Sequence, residues 1–294
     1  MSSLLRYSDT KFFPLPIAGA NRWYILPFPI ASMIASPPPV LCLSGHDPTG
    51  AAGIQADIET LARLGCHACS VITSLTMQDT HDVQGILPQE RGAFLRQARL
   101  LVADIPPVAV KIGLLGSPEL AWAVAELLED LPGIPVVLDP ILAAGGGRNL
   151  AGGDSITEIN RRLLPKVAVV TPNIPEAYRL TGASSPDVAA HALLALGCPN
   201  VLLTGAHADE DGAEVVNRWY RGETMDSYHW PRLEGNYHGS GCTLAAAVAG
   251  YLALGLGMAD AVTRAQYFAW ESLRLGYRLG RGQWLPNRRA VPRA

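Results

Sequence analysis

The chain has 294 residues, of which 49% are hydrophobic and 17% charged, with a net charge of -3. That composition suits one large α/β domain, or two small ones, around a sizeable core. Its lysines are Lys11, Lys111 and Lys166, and no basic stripe appears, so nucleic acid is excluded as a partner and any polyphosphate must be held by backbone N–H groups, arginine and metal.

In chain order, residues 1–39 come first, with prolines at 14, 16, 27, 29, 37, 38 and 39 interrupting every apolar run. Ile25 to Ile34 is too short and too broken to span a membrane, and no signal-peptide pattern is present. The segment reads as a Pro-rich, poorly ordered extension, with Met33 an alternative start and the folded domain beginning near Val40. From there strand-like and helix-like stretches alternate. Val40–Ser44 is an apolar run, and Ala51–Leu64 carries Ile54, Ile58 and Leu61 at helical spacing. Cys69–Ser74, Val108–Ile112, Pro135–Asp139, Val167–Val170 and Asn200–Thr204 read as further buried strands. Helices are expected over Glu90–Ala103, Pro118–Leu131, Ser155–Leu163, Pro175–Leu180, Asp187–Leu196, Cys242–Leu254 and Asp260–Leu275. Glu214–Tyr220 and Thr224–Trp230 pair as an antiparallel ribbon. This order predicts a mostly parallel sheet with helices on both faces, with ligands beyond the carboxyl ends of its strands.

Chemistry-bearing residues collect at those ends. His238-Gly239-Ser240-Gly241 leads into an almost wholly apolar helix. Its first N–H groups lack intrahelical partners, and the helix dipole adds positive potential, which makes an anion pocket from backbone. Cys242 lies at the mouth of that helix, where a thiolate is expected to be stabilised. An anion hole beside a proton acceptor points to group transfer to a hydroxyl, phosphoryl transfer above all. His238 reads as a loop histidine bonded to backbone rather than as a base.

Gly45 to Gly53 forms a Gly-rich strand-to-helix loop that fits neither the P-loop nor the dinucleotide fingerprint. Asp57, one turn further, reads equally as a ligand contact or as a solvated edge. Asp139 ends a buried strand. Asn173 and Glu176 read equally as a reciprocal helix cap or as cation ligands. Asp209, Glu210 and Asp211 suit a solvated turn. Cys66-His67-Ala68-Cys69 has no second pair at zinc spacing and reads as packing. Five sparse cysteines suit reduced thiols in a cytosolic protein.

Six stretches together resemble the hydroxymethylpyrimidine/phosphomethylpyrimidine kinases of thiamine biosynthesis, within the ribokinase-like superfamily. They are SGHDPTGAAGIQADIETLARLG (44–65), VITSLTMQDT (71–80), KIGLL (111–115), VVLDP (136–140), LLPKVAVVTPNIPEA (163–177) and YHGSGCTLAAAVA (237–249). The resemblance implies a ribokinase-like α/β domain over residues 40–280, followed by a C-terminal tail, 281–294. It implies ATP as co-substrate, Mg²⁺ as cofactor, a cytoplasmic homodimer and no membrane partner. The substrate would be 4-amino-5-hydroxymethyl-2-methylpyrimidine, phosphorylated twice to the diphosphate.

By position, the resemblance makes Cys242 the base and Gly239, Ser240 and Gly241 the anion hole. Asp57 and Gln78 would bond the aminopyrimidine edge, with Gly45, Leu114 and Ile141 lining the pocket. Asp139 and Glu176 would hold Mg²⁺, and Asn173, Glu176, Thr204 and Gly205 the nucleotide phosphates. Thr204 stands where many members carry lysine. Thr76 and Leu114 replace the commoner valine and methionine, and the loop from Ala143 to Gly147 lacks the usual Lys-Ser-Gly type of segment. Two rivals are a pyridoxal/pyridoxine kinase of the same fold and a non-catalytic pyrimidine-binding protein.

Overall fold

Apolar alternation dictates the centre of the sheet. In β1, Pro39–His46, Val40 and Cys42 point to one side and Leu41 and Leu43 to the other, and all four are buried. A strand buried on both faces belongs inside a parallel sheet covered by two helical layers. The computed structural model describes residues 36–144, 147–206 and 212–292. Residues 1–35 of the expected extension, Gly145 and Gly146, and the acidic run Asp209 to Asp211 lie outside the described residues.

The strands that follow are β2 (His67–Gln78), β3 (Val83–Pro88), β4 (Ala109–Ile112), β5 (Val136–Leu138), β6 (Val169–Val170), β7 (Val201–Leu203), β8 (Glu214–Arg221) and β9 (Thr224–Pro231). Among the described residues these form one sheet in the order β3-β2-β1-β4-β5-β6-β7-β8-β9. The pairs from β2 through β1 to β7 are parallel, while β3, β8 and β9 add antiparallel edges.

The helices are α1 (Gly53–Leu64), α2 (Arg91–Asp104), α3 (Pro118–Glu129), α4 (Gly153–Glu158), α5 (Ile174–Thr181), α6 (Pro186–Ala195), α7 (Ser240–Ala253) and α8 (Met258–Arg274). Helices α2, α3, α5 and α6 cover one face of the sheet, and α1, α7 and α8 cover the other. Local chemistry sets their ends. Ser117 Oγ accepts from the Leu120 amide and Pro118 opens the first turn of α3. Glu90, expected inside its helix, instead caps α2 by accepting from the amides of Gly92 and Ala93. The expected helix 155–163 starts as α4 and continues through a π-helical turn, Ile159–Leu163.

Two differences shape the site. The strand expected at Cys69–Ser74 runs four residues further, to Gln78, and turns back through β3, which sequence patterning does not reveal. The resulting ribbon stands beside the carboxyl ends of the sheet. Residues 276–291 cross over it: the Gln283 amide donates to the Thr80 carbonyl at 2.8 Å, and the His238 amide donates to the Trp284 carbonyl at 2.9 Å. Within the expected tail, Leu285, Arg288 and Val291 are buried.

Candidate active site

Three loops converge where β1, β5 and β6 end. The first, after β1, folds around Asp47. Its Oδ1 accepts from the Thr49 amide and hydroxyl, both at 2.8 Å, and its Oδ2 accepts from the Ala52 amide at 2.8 Å. Burial alone would raise this carboxyl, but the hydrogen bonds and charge of His238 and the bonds from Thr49 outweigh it and hold Asp47 below its ordinary value. Gly53 opens α1 with a φ of 60°, and a Cβ there would lie 2.2 Å from the Gly45 carbonyl oxygen.

The second element is the head of α7. Gly239 adopts the left-handed conformation at φ 85° and ψ 15°. A Cβ on it would lie 1.9 Å from the Ala51 carbonyl oxygen, so glycine is required twice over, by conformation and by space. The first helical bond runs from the Thr243 amide to the Gly239 carbonyl at 3.0 Å. The amides of Ser240, Gly241 and Cys242 therefore precede the ladder and remain as donors. Gly241 is exposed and Ser240 half-buried, while Cys242 is buried.

The third loop follows β5. Asp139 is buried, and its carboxylate oxygens lie 3.7 Å from where a Cβ on Gly241 would stand. Its Oδ2 is buried without a hydrogen-bond partner, and the Cys242 side chain lies beside the carboxylate. Glu176 approaches from α5. Asn173 and Glu176 form a reciprocal capping box: Asn173 Oδ1 accepts from the Glu176 amide at 2.8 Å, and Glu176 Oε2 accepts from the Asn173 amide at 3.0 Å. The cap reading is thus realised, and Glu176 also accepts from the Leu142 amide at 3.3 Å.

Charge in this pocket is unbalanced. Burial, helped by Asp57 and against Lys111, lifts Asp139 to about 6. Burial and the neighbouring Asp139 lift Glu176 to about 8. Two carboxyls driven toward neutrality around an unpartnered oxygen fit a divalent cation, which would supply the missing positive charge. No cluster of three or more metal-ligating side chains occurs among the described residues, so a cation here would complete its shell with water and phosphate oxygens. Mg²⁺ accepts such a shell.

The thiolate expected at Cys242 is not what the free protein holds. Burial pushes this thiol up to about 12, with Asp139 and Asp57 adding to the rise, and Lys111 and the Gly53 amide offset only part of it. The helix start cannot compensate for desolvation beside two carboxyl groups.

The structure also places the other expected residues. Asp57 is fully buried and already engaged. Its carboxylate accepts from Ser44 Oγ at 2.7 Å and lies 2.9 Å and 3.1 Å from Lys111 Nζ. Gln78 is half-buried on β2, and its Oε1 lies 3.1 Å from His238 Nε2. Leu114 and Ile141 line one small cavity, and a Cβ on Gly45 would lie 3.1 Å from Leu114 Cδ2. Thr204 pairs with Asn173 in an isolated bridge between strand ends. The Gly205 amide is committed to Asn217 Oδ1 at 3.0 Å.

Sequence reasoning passed over Lys111 and Arg288. A lone lysine inside the apolar strand Ala109–Ile112 needs a buried partner, and that signal was available. Nothing local marks Arg288. It is buried, with Nε donating to Thr243 Oγ1 at 2.8 Å, Nη2 donating to the Ala51 carbonyl, and Nη1 reaching Glu59 at 3.3 Å. Thr243 Oγ1 in turn donates to the Gly239 carbonyl at 2.8 Å. One guanidinium therefore fastens the Gly-rich loop to the head of α7.

Arg288→Ala removes the donor from two buried acceptors, the Ala51 carbonyl and Thr243 Oγ1, and is expected to cost about 3 kcal/mol in denaturant unfolding. A cost under about 0.5 kcal/mol, the range of an ordinary surface substitution, would show that the seam does not need it. The raised carboxyls set a pH dependence. Asp139 and Glu176 titrate above their unfolded values, so the native state holds protons the unfolded chain has released. The stability this gives is complete below about pH 4 and disappears as pH rises through 6 and 8. With chelator present, wild type should lose roughly 2 kcal/mol relative to Asp139→Asn between pH 4.5 and 8.5. Parallel unfolding curves for the two proteins across that range would contradict the assignment.

Comparison with known proteins identifies the family. The family profile described as phosphomethylpyrimidine kinase matches residues 47–287. The hydroxymethylpyrimidine/phosphomethylpyrimidine kinase of Streptomyces coelicolor is 38% identical over 257 residues, covering 84% of this chain and 93% of the relative. The thiamine biosynthesis bifunctional protein ThiED of Geobacter sulfurreducens is 40% identical over 87% of this chain, which spans only 52% of that relative. The structure of the pyridoxal kinase from Staphylococcus aureus in complex with pyridoxal superposes with a TM-score of 0.78 at 27% identity, covering 86% of this chain and 94% of that one. The sheet order, the amide cradle of α7 and a match spanning most of the chain lead to one conclusion: the chain belongs to the phosphomethylpyrimidine kinase family.

Proposed function

We propose that this chain transfers the terminal phosphoryl group of ATP to the hydroxymethyl oxygen of 4-amino-5-hydroxymethyl-2-methylpyrimidine, and a second phosphoryl group to the resulting monophosphate, in thiamine biosynthesis. The observation that carries the reading is the cradle itself: free amides at residues 240–242, the Cys242 sulfur and the Asp139 carboxylate share one wall. Phosphoryl transfer passes through a loose transition state, so positioning and charge stabilisation supply most of the catalysis.

In this reading the Ser240, Gly241 and Cys242 amides bond the migrating phosphoryl oxygens. Cys242 accepts the hydroxyl proton. For that its thiol must first release its own proton to solvent, which the positive charge of a cation bound beside Asp139 would favour. Asp139 and Glu176 would hold Mg²⁺, which when bound neutralises phosphate charge that two carboxyls would otherwise repel. Asn173, Thr204 and Gly205 face the nucleotide side, with Gly205 supplying close backbone approach. Gln78, Leu114, Ile141 and Gly45 form the ring pocket, and Asp57, held by Ser44 and Lys111, is its acidic floor.

Five free cysteines, all buried, support a cytoplasmic setting. Among the described residues no helix is long and apolar enough to cross a membrane. The exposed, directly paired Leu75 and Leu87 on the β2–β3 ribbon support a homodimer. The likeness to a pyridoxal kinase favours pyridoxal as the second candidate substrate.

Product analysis with ATP and, side by side, the pyrimidine alcohol, its monophosphate and pyridoxal decides among these. The expected result is turnover of both pyrimidines above pyridoxal. Faster turnover of pyridoxal favours the second reading, and tight pyrimidine binding without ATP consumption favours a binding protein. Cys242→Ala is expected to lower kcat by about 100-fold with pyrimidine affinity largely kept. A kcat near wild type would remove Cys242 from the mechanism.

A further inference from the structure

The ring pocket contains a chain of hydrogen bonds whose direction is fixed from one end to the other. Thr76 and Gln78 lie two apart on β2, so they face the same side. Thr76 Oγ1 lies 2.8 Å from the His46 carbonyl oxygen. A carbonyl only accepts, so the single hydroxyl proton of Thr76 is committed there. Toward Gln78, 2.5 Å away, the hydroxyl oxygen is therefore an acceptor, and the amide atom facing it must be the NH₂ nitrogen.

That turns Gln78 Oε1 toward His238 Nε2 at 3.1 Å. Nε2 must then carry a proton. Its other neighbour, Asp47 Oδ2 at 3.2 Å, is also an acceptor and is held ionised by the bonds around it. Both far ends are tied to backbone: His46 is registered in β1 against Leu75, and Asp47 accepts from the Thr49 and Ala52 amides.

We propose that Thr76 is a specificity-determining residue that locks the Gln78 carboxamide in one orientation. The amide then presents its second N–H, a donor, to the bound ring. The pocket selects a heteroaromatic ring with an unprotonated nitrogen at that edge, and disfavours a ring that offers a donor there. The substrate part of this inference rests on the proposed function. The orientation of the hydrogen bonds does not, because it follows from the His46 carbonyl, Thr76, Gln78, His238 and Asp47 alone.

The test uses the full chain with Thr76→Val, which removes the hydroxyl at similar volume, and Thr76→Ser, which retains it. In the valine variant KM for the pyrimidine alcohol should rise about tenfold, the scale of one hydrogen bond, with kcat changed less than about twofold. Serine should recover most of the lost affinity. Nitrogen NMR of the free wild-type protein should show His238 protonated at Nε2, and the Gln78 side-chain amide protons should exchange about tenfold faster in the valine variant, again the scale of one lost bond. An Nε2-unprotonated His238 in wild type, an unchanged KM in the valine variant, or a serine variant as impaired as valine would each overturn the proposal. If wild type fails to phosphorylate the pyrimidine alcohol, the proposed function falls. The tautomer and exchange readings then still decide whether Thr76 fixes the amide.

Discussion

The Ala51 carbonyl oxygen is the point on which the site turns. It lies where any side chain on Gly239 would have to go, and it accepts from Arg288. Two loops almost two hundred residues apart in sequence therefore meet backbone to backbone, with no side chain between them. The contact brings the head of α7 up against the Gly-rich loop and leaves its first amides outside the helical ladder. Glycine at 239 is thus a requirement of approach, and the conformation it allows is the one that frees the donors.

Around that seam the protein concentrates negative groups it does not balance. Lys111 answers Asp57, and its influence on Asp139 and Cys242 is outweighed by burial. The free protein relieves the excess by holding protons on Glu176 and Cys242, while Asp139 is lifted only to about 6. In the proposed reading a charged co-substrate with its cation would change that balance: positive charge beside Asp139 would let the carboxyls ionise, and the phosphates would take the amides. Binding and deprotonation would then be coupled by electrostatics.

How much of this is legible in the sequence depends on how far apart the cooperating residues lie. The continuous apolar runs within Val40–Ser44 and Pro135–Asp139 show themselves because burial on both faces leaves few polar positions. The Asn173 and Glu176 cap is legible because its partners are three residues apart. β3 is not, because Val83–Pro88 is a short edge strand with a glycine and a glutamine, open to solvent along one side. The protonation of Cys242 is invisible locally, since it is set first by burial and then by Asp139 and Asp57, which arrive from the end of β5 and from α1. Arg288 is the extreme case, because its three partners come from residues 51, 59 and 243.

The position of Arg288 in the chain has a consequence for biosynthesis. Every strand of the sheet leaves the ribosome before this residue does, so a nascent chain can assemble its sheet while the clamp across the cradle is still missing. Competence would then be conferred late, as the final segment threads over the β2–β3 ribbon and seats its guanidinium. A transcript that ends before Arg288, or a protease that trims this strap, would yield a protein with its sheet intact but the seam between the Gly-rich loop and the head of α7 loosened.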